Sequence, residues 1–261
     1  MSQPAMPSTV VTAAMLAIGD ELLSGRTKDK NIGHLADILT LAGIDLKEVR
    51  IVSDEEEAIV EALNVLRGRY DYVFTSGGIG PTHDDITADA VSKAFRLPCV
   101  HDPKAMELLA DMYQRREMPF TEARQRMARM PEGARHIANP VSTAPGFIVE
   151  NVYVMAGVPQ VFQAMVDNVL PELRTGSKML SRAIACPFGE GDIGTPLAAI
   201  QKAHPQTSIG SYPKYDGKRF STEIVVRARQ DSEVEAAAVD VEQMVRDLEE
   251  KHLPSNGSAD A

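Results

Sequence analysis

Apolar positions along the first 75 residues follow two rhythms that alternate. The run VVTAAMLAIG (10–19) is β-branched and apolar and closes at Gly19, which predicts a buried strand. In NIGHLADILTLAG (31–43), Ile32, Leu35, Ala36 and Leu39 fall on one helical face, and Gly43 supplies a natural stop. IDLKEVRIV (44–52) predicts a second strand. Ser53 with Glu56 three residues later has the spacing of a capping box, and Ile59, Ala62, Leu63 and Leu66 make the stripe of the next helix. YDYVF (70–74) predicts a third strand. Strand–helix alternation with short connections implies parallel strands joined by right-handed crossovers.

The rhythm continues to about Leu173. Residues 103–118 and 121–129 predict helices around the break at Pro119. HIANPV (136–141) and GFIVENVYVMAG (146–157) predict strands, the second stretch turning at Glu150 and Asn151. Pro159 opens a helix over 159–171, because a proline at the first helical position loses no hydrogen bond. These elements form an α/β domain over 10–173. RTGSK (174–178) is the expected boundary. A strand (178–186), a helix (193–203), two strands (207–212 and 220–229) and a last helix (232–251) predict a small α+β domain over 178–252. Val234, Ala237, Val241, Val245 and Leu248 line that last helix on one side. Its ~75 residues give a marginal core, expected to be covered by the first domain or by a second subunit. Residues 1–9 are expected to be flexible and 253–261 disordered.

Composition narrows the classes. The chain has 261 residues, with 27 Lys and Arg against 37 Asp and Glu, a net charge of −10. A sequence-independent nucleic-acid binder needs a basic surface, so no nucleic-acid partner is expected. RQRMAR (124–129) is the best local basic run and reads as a solvated helix face. Cys99 and Cys186 are the two cysteines, in no CxxC or Cys/His cluster, which argues against disulfide scaffolds and structural zinc. No apolar run approaches the ~20 residues that span a bilayer. MSQPAMPSTVV lacks a basic region followed by an apolar core, so no signal peptide is expected and the cytoplasm is the expected compartment.

The chemistry concentrates where the third strand ends. TSGGIGPTHDDITADA (75–90) stops the apolar run at Ser76 and places Gly77, Gly78 and Gly80 ahead of Pro81, Thr82, His83, Asp84, Asp85 and Thr87. Ligands of open parallel sheets sit at the carboxyl ends of the strands. The three glycines can adopt positive φ and lack a Cβ, so their N–H groups can approach a phosphate. A helix starting near Ile86 adds the positive end of its dipole. Carboxylates beside a phosphate repel it unless a cation lies between, and Asp84 and Asp85 are hard oxygen ligands for a bridging divalent ion. Thr87 is placed to cap the helix or to hold a metal-bound water. The plainer alternative is a Gly-Gly turn followed by an Asp N-cap. Two further strand ends favour a ligand crevice: GDELLSG (19–25), with Asp20 and Glu21, and AGVP (156–159).

AIGDELLSGRTKDKN, TSGGIGPTHDDITADAV, NPVSTAPGF and AGVPQVFQAM, in that order, resemble the signature blocks of the molybdopterin-binding (MoaB/Mog-like) domain family. The resemblance covers roughly residues 10–173 and is strongest to the CinA-like branch and to the N-terminal half of eukaryotic FAD synthases. TSIGSYPKYDG and the strands after it resemble the small domain that follows there. The resemblance implies a three-layer α/β/α sandwich with a mostly parallel sheet. It also implies metal-dependent chemistry: adenylyl transfer to molybdopterin in the cofactor-biosynthesis members, pyrophosphate cleavage in ADP-ribose in CinA-like members, and FAD hydrolysis in the FAD synthase version. By position the family aspartate is Asp85, with Asp84 beside it; Gly19, Asp20 and Glu21 match the acidic loop and Asn31 the polar residue opening the next helix. Pro145, Gly146, Gly157 and Pro159 match the later loops. The amidohydrolase and adenylyl-transferring domains that follow in many relatives are missing here, and neither activity is expected. Ser142 stands where the family commonly has Gly.

The expected function is therefore metal-dependent hydrolysis of the pyrophosphate bond of a dinucleotide-like substrate, of ADP-ribose or FAD type. Asp84 and Asp85 are the catalytic candidates, with Asp20 and Glu21 completing the metal site or orienting water. The substrate- and phosphate-binding candidates are Gly19, Asn31, Ser76, Gly77, Gly78, Gly80, Pro81, Thr82, Thr87, Gly146, Gly157 and Pro159. His83 reads as an exposed loop residue rather than an acid or base. The expected cofactor is a divalent ion, Mg2+ or a transition metal such as Co2+, with K+ as a further candidate; the expected assembly is a homodimer. The alternatives are a module that binds a pterin or nucleotide without turnover, and a protein of molybdenum-cofactor adenylylation.

Overall fold

A strand whose side chains are apolar apart from Thr12 must be covered on both faces, and β1 (Val11–Ile18) is. Ala14, Leu16 and Ile18 enter one core, and Ala13 and Met15 the other. The computed structural model describes residues 10–252, so the expectations for 1–9 and 253–261 fall outside that range. The chain divides into two compact units, Thr9–Gly176 and the residues from Ser177 onward.

In the first unit, six strands run in the order β2–β1–β3–β8–β7–β6, with β2 Ile44–Val52, β3 Tyr72–Ser76, β6 Arg135–Ile137, β7 Gly146–Val149 and β8 Val152–Met155. β2, β1, β3 and β8 are parallel, and β7 and β6 close the sheet antiparallel. On one face pack α3 (Glu56–Arg69), α4 (Thr87–Phe95) and α5 (Pro103–Arg115) through Leu63, Val91 and Leu109. On the other, α2 (Asn31–Leu41) and α7 (Pro159–Val169) bring Leu35, Leu39 and Phe162 onto Phe74 and Tyr153, whose ring centroids are 5.3 Å apart. This is the three-layer sandwich with a mostly parallel sheet. Each fully buried Leu or Phe here contributes roughly 1.5–3 kcal/mol.

Local differences from the sequence reading have physical reasons. β3 starts at Tyr72, because Tyr70 terminates α3 and sends its hydroxyl to Glu48 (2.7 Å), while Asp71 accepts from Thr12 N–H (2.8 Å) and Thr12 Oγ1 (2.9 Å). The capping box of Ser53 and Glu56 does not form; Glu55 is the N-cap of α3, without a side-chain cap bond. Residues 121–129 split into α6 (Glu122–Gln125), a 3₁₀ turn (Arg126–Ala128) and β5 (Arg129–Pro131), which pairs with β4 (Cys99–His101). A one-turn helix, α1 (Asp20–Leu23), follows β1.

The second unit is an antiparallel sheet β10–β11–β9 (β9 Leu180–Cys186, β10 Ser208–Tyr215, β11 Phe220–Ala228) with α8 (Glu190–Ala203) and α9 (Asp231–His252). Val234, Ala237, Val241 and Val245 of the α9 stripe are buried, packing in one core with Ile193, Ile224 and Val226. Helix α8 begins three residues earlier than its apolar spacing suggests and carries Pro196 inside it.

Candidate functional site

β1, β3 and β8 are parallel neighbours, so the segments leaving their carboxyl ends lie side by side. One buried side chain ties them together. Asn31, the first residue of α2, donates through Nδ2 to Ser76 Oγ (2.7 Å) and to the Gly157 carbonyl (2.8 Å), and its buried Oδ1 has no partner. Gly77 N–H donates to the Met155 carbonyl (3.1 Å) and Gly19 N–H to the Val52 carbonyl (3.1 Å), extending the sheet by one bond on each side.

The glycine loop then folds onto its own helix. Gly77 and Gly78 have φ of 111° and 69°, which only glycine adopts freely. A Cβ on Gly78 would lie 2.1 Å from Thr87 Oγ1, and one on Gly80 would lie 2.6 Å from Asp85 Oδ2. The space freed by missing side chains is thus filled by the protein's own polar atoms. Gly80 does not take up a positive φ. Thr87 is fully buried and donates to the Gly77 carbonyl (3.0 Å), so it braces the loop from below rather than facing a metal-bound water.

Asp85 is not the N-cap of α4. Ile86 occupies that position and no side chain caps the helix. Instead Asp85 Oδ2 accepts from Thr82 N–H (2.8 Å) and from Thr82 Oγ1, which closes the PTHDD turn on itself. Arg126 Nη2 donates to the Asp85 main-chain carbonyl (3.2 Å). The Asp84 carboxyl is held below its usual range by the Thr82 hydroxyl, whose single proton it shares with Asp85, and by the backbone N–H of Asp84 itself.

A fifth acidic residue enters from the β2–α3 loop. Asp54 Oδ2 accepts from Asp20 N–H (2.9 Å), 34 residues away in sequence. Partial burial raises the Asp54 carboxyl above its ordinary value, and the negative charges of Asp20, Glu21 and Asp84 push the same way, against the Asp20 hydrogen bond. In sequence Asp54 opens the acidic run DEEE (54–57) leading into α3, which has the look of a helix start and gives no sign of a contact with Asp20.

A cleft of about 640 Å³ lies over these segments. Of the sequence candidates, Gly19, Glu21, Gly77, Gly78, Gly80, Pro81, Asp84, Asp85, Gly157 and Pro159 line it. Asn31 and Ser76 line a smaller adjoining chamber, which shares Glu21, Thr27, Gly157 and Pro159 with it. Asp20, Thr82, Thr87 and Gly146 are not in the cleft wall. Gly146 belongs to the sheet, since a Cβ there would meet the Val154 carbonyl at 2.4 Å. Residues not anticipated are Asp54, Thr27 and an apolar side made of Ile79, Met127, Ala144 and Val158. Asn139 shapes that side, donating to Ser142 Oγ (2.6 Å) and the Ala144 carbonyl (2.8 Å) and accepting from Val141 N–H and Ser142 N–H (both 3.1 Å). The turn it organises leaves Thr143 at φ 70°.

Four carboxylates therefore face one cleft whose wall carries no Lys, Arg or His. Their oxygens suit a hard divalent cation. Among the described residues no three His, Cys, Asp or Glu side chains converge as a ready metal cage. No helix of the described residues is long and apolar enough to cross a membrane.

Residues 14–175 match the family described as a probable molybdopterin binding domain, and residues 178–251 match the middle domain of FAD synthase. A protein of Aeropyrum pernix is 34% identical over 239 residues, covering 90% of this chain and 85% of its own length. A CinA-like protein of Desulfosudis oleivorans is 34% identical over 210 residues, 76% of this chain, and the chain spans about half of that protein's length (51%). Among solved structures, the protein CinA of Thermoplasma acidophilum, described as of unknown function, is similar with a TM-score of 0.58 and 30% identity, over 62% of this chain and 98% of that one. With its fold, its strand-end loops and these matches, the chain belongs to the molybdopterin-binding (MoaB/Mog-like) domain family as a CinA-like member.

Proposed function

We propose that the protein hydrolyses the pyrophosphate bond of a dinucleotide-like substrate of the ADP-ribose or FAD type, with a divalent cation bridging the substrate's phosphates to the cleft carboxylates, drawn from Glu21, Asp54, Asp84 and Asp85. The observation that carries this reading is the pairing of four carboxylates with a glycine-lined floor and no basic side chain in the wall. A pyrophosphate is anionic, so this wall repels it until a cation is present; a cation offsets both charges and polarises the phosphoryl oxygens. Gly77 N–H is committed to the sheet, so in this reading the phosphate is met by the N–H groups of Gly78, Ile79 and Gly80. Ile79, Met127, Ala144 and Val158 offer an apolar face to a heterocyclic ring.

The family description favours a second reading, a pterin- or nucleotide-binding module without turnover. One experiment separates them. The purified protein is incubated with ADP-ribose or FAD and Mg2+, Mn2+ or Co2+, and products are read by mass. Cleavage to the two monophosphates that stops with EDTA is the expected result. Saturable binding without product, or undiminished turnover after exhaustive chelation, overturns the cation-dependent hydrolase.

A further inference from the structure

The arginines of RQRMAR (124–129) read in sequence as a solvated face, and in the folded chain each is engaged. Arg124 stacks its guanidinium over Tyr113, 4.6 Å from the ring centroid. Arg129 forms a two-pronged pair with Asp89 in the first turn of α4, one bond being 2.8 Å. Between them Arg126 donates to the Asp85 main-chain carbonyl (3.2 Å), while its buried Nε has no partner. Met127, the next residue, lines the cleft.

We propose that Arg126 is a positioning residue of the cleft: it fixes the Asp85 main chain so that the carboxylates of the PTHDD turn keep their places. The inference rests on the reading under Proposed function for its effect on turnover, though not for its effect on the loop. Asp85 is gripped at two points, its carboxylate by Thr82 and its carbonyl by Arg126. The first grip is local and moves with the turn. The second comes from a segment anchored independently, by Arg129 on α4 and by the Ala128 carbonyl accepting from Asp102 N–H (2.9 Å). A turn held only by its own bonds can rock as a body; one held from outside cannot. Arg126 reaches the Asp85 main chain without entering the cleft wall. A charged donor with one buried N–H left unpaired weakens the fold relative to a satisfied one, a cost that an apolar residue of the same length would not carry.

The test compares Arg126→Met, which removes the donor and keeps the stem, with Arg126→Lys, which restores one charged donor. Two quantities are read: amide hydrogen exchange over residues 80–87, and kcat and KM for ADP-ribose with Mn2+. The expected result for Arg126→Met is faster exchange over 80–87 by about tenfold or more, with the other segments unchanged. Its kcat should fall by about 10- to 100-fold with KM within about threefold, and Arg126→Lys should recover most of both. Unchanged exchange over 80–87 overturns the proposal, as does faster exchange with wild-type kcat, or no recovery in Arg126→Lys. If the wild type itself shows no turnover, the hydrolase reading fails while the exchange comparison still decides the role of Arg126. Should Arg126→Met not fold, Arg126→Gln is measured in its place with the same outcomes.

Discussion

Gly80→Ala isolates the placement of Asp85 from every change of charge. Gly80 lies outside the positive-φ region, so alanine meets no backbone strain there. Its Cβ would, however, stand 2.6 Å from Asp85 Oδ2 and 3.0 Å from both Cγ and Oδ1. Ordinary contact begins at 3.4 Å, so the carboxylate must retreat by about 0.8 Å. A shift of that size away from the turn lengthens the 2.8 Å bond from Thr82 N–H to roughly 3.6 Å, beyond hydrogen-bonding range. Losing one or both Thr82 bonds removes about 1–2 kcal/mol, a Tm drop of about 2–8 °C in a domain this size. The loss of turnover should be larger, about 100-fold in kcat, because a misplacement near 1 Å has that effect on an aligned site. Gly33→Ala is the control: Gly33 sits within α2 with nothing within 4 Å of an added Cβ, so it should gain about 0.5–1 kcal/mol and keep full activity. The assay is cation-dependent release of nucleoside monophosphate, beside calorimetric melting. A Gly80→Ala protein that keeps more than half of the wild-type kcat refutes the claim that the position of Asp85 limits the reaction.

Two further outcomes follow from the same loops. Because the carboxyl of Asp54 is raised in the folded chain, the folded state holds its proton to higher pH than the unfolded one, and its ionisation lowers stability as pH rises above 3.8. Asp54→Asn keeps an oxygen for Asp20 N–H; it should melt higher than wild type at pH 7, and the difference should vanish below pH 3.8 and shrink when Mn2+ is added. An Asp54→Asn protein that is less stable at pH 7 would contradict this. Thr143 holds a left-handed φ of 70° that a β-branched residue adopts at a cost of about 1–2 kcal/mol. Thr143→Gly should therefore raise Tm by about 2–4 °C, and an unchanged or lower Tm in differential scanning calorimetry would show that the turn is relaxed.

What could be read from the sequence was what repeats along the chain. The continuous apolar run of β1 and the stripe of Ile59, Ala62, Leu63 and Leu66 in α3 are local patterns, and apart from Thr12 the side chains of both are buried. The three strand ends were legible for the same reason, since Gly19, Gly77 and Gly157 each end an apolar run. Pairings across the fold were not. Asp54 meets Asp20, and Arg126 and Arg129 meet Asp85 and Asp89 some 40 residues away. Nothing local distinguishes such residues from solvated charges. The glycines misled in a different way: absence of a Cβ is visible in a sequence, but not whether Thr87 Oγ1, Asp85 Oδ2 or a ligand occupies the space.

The single amide of Asn31 joins segments that the chain reaches at residues 31, 76 and 157. A substitution in any one of them changes the boundary conditions of the other two, so their effects on ligand affinity will not add. Varying the cleft one loop at a time would credit each with energy that belongs to the junction, and only combined substitutions can separate the shares. The free Oδ1 makes the junction open-ended as well: a guest that donates a hydrogen bond there would stiffen all three segments at once.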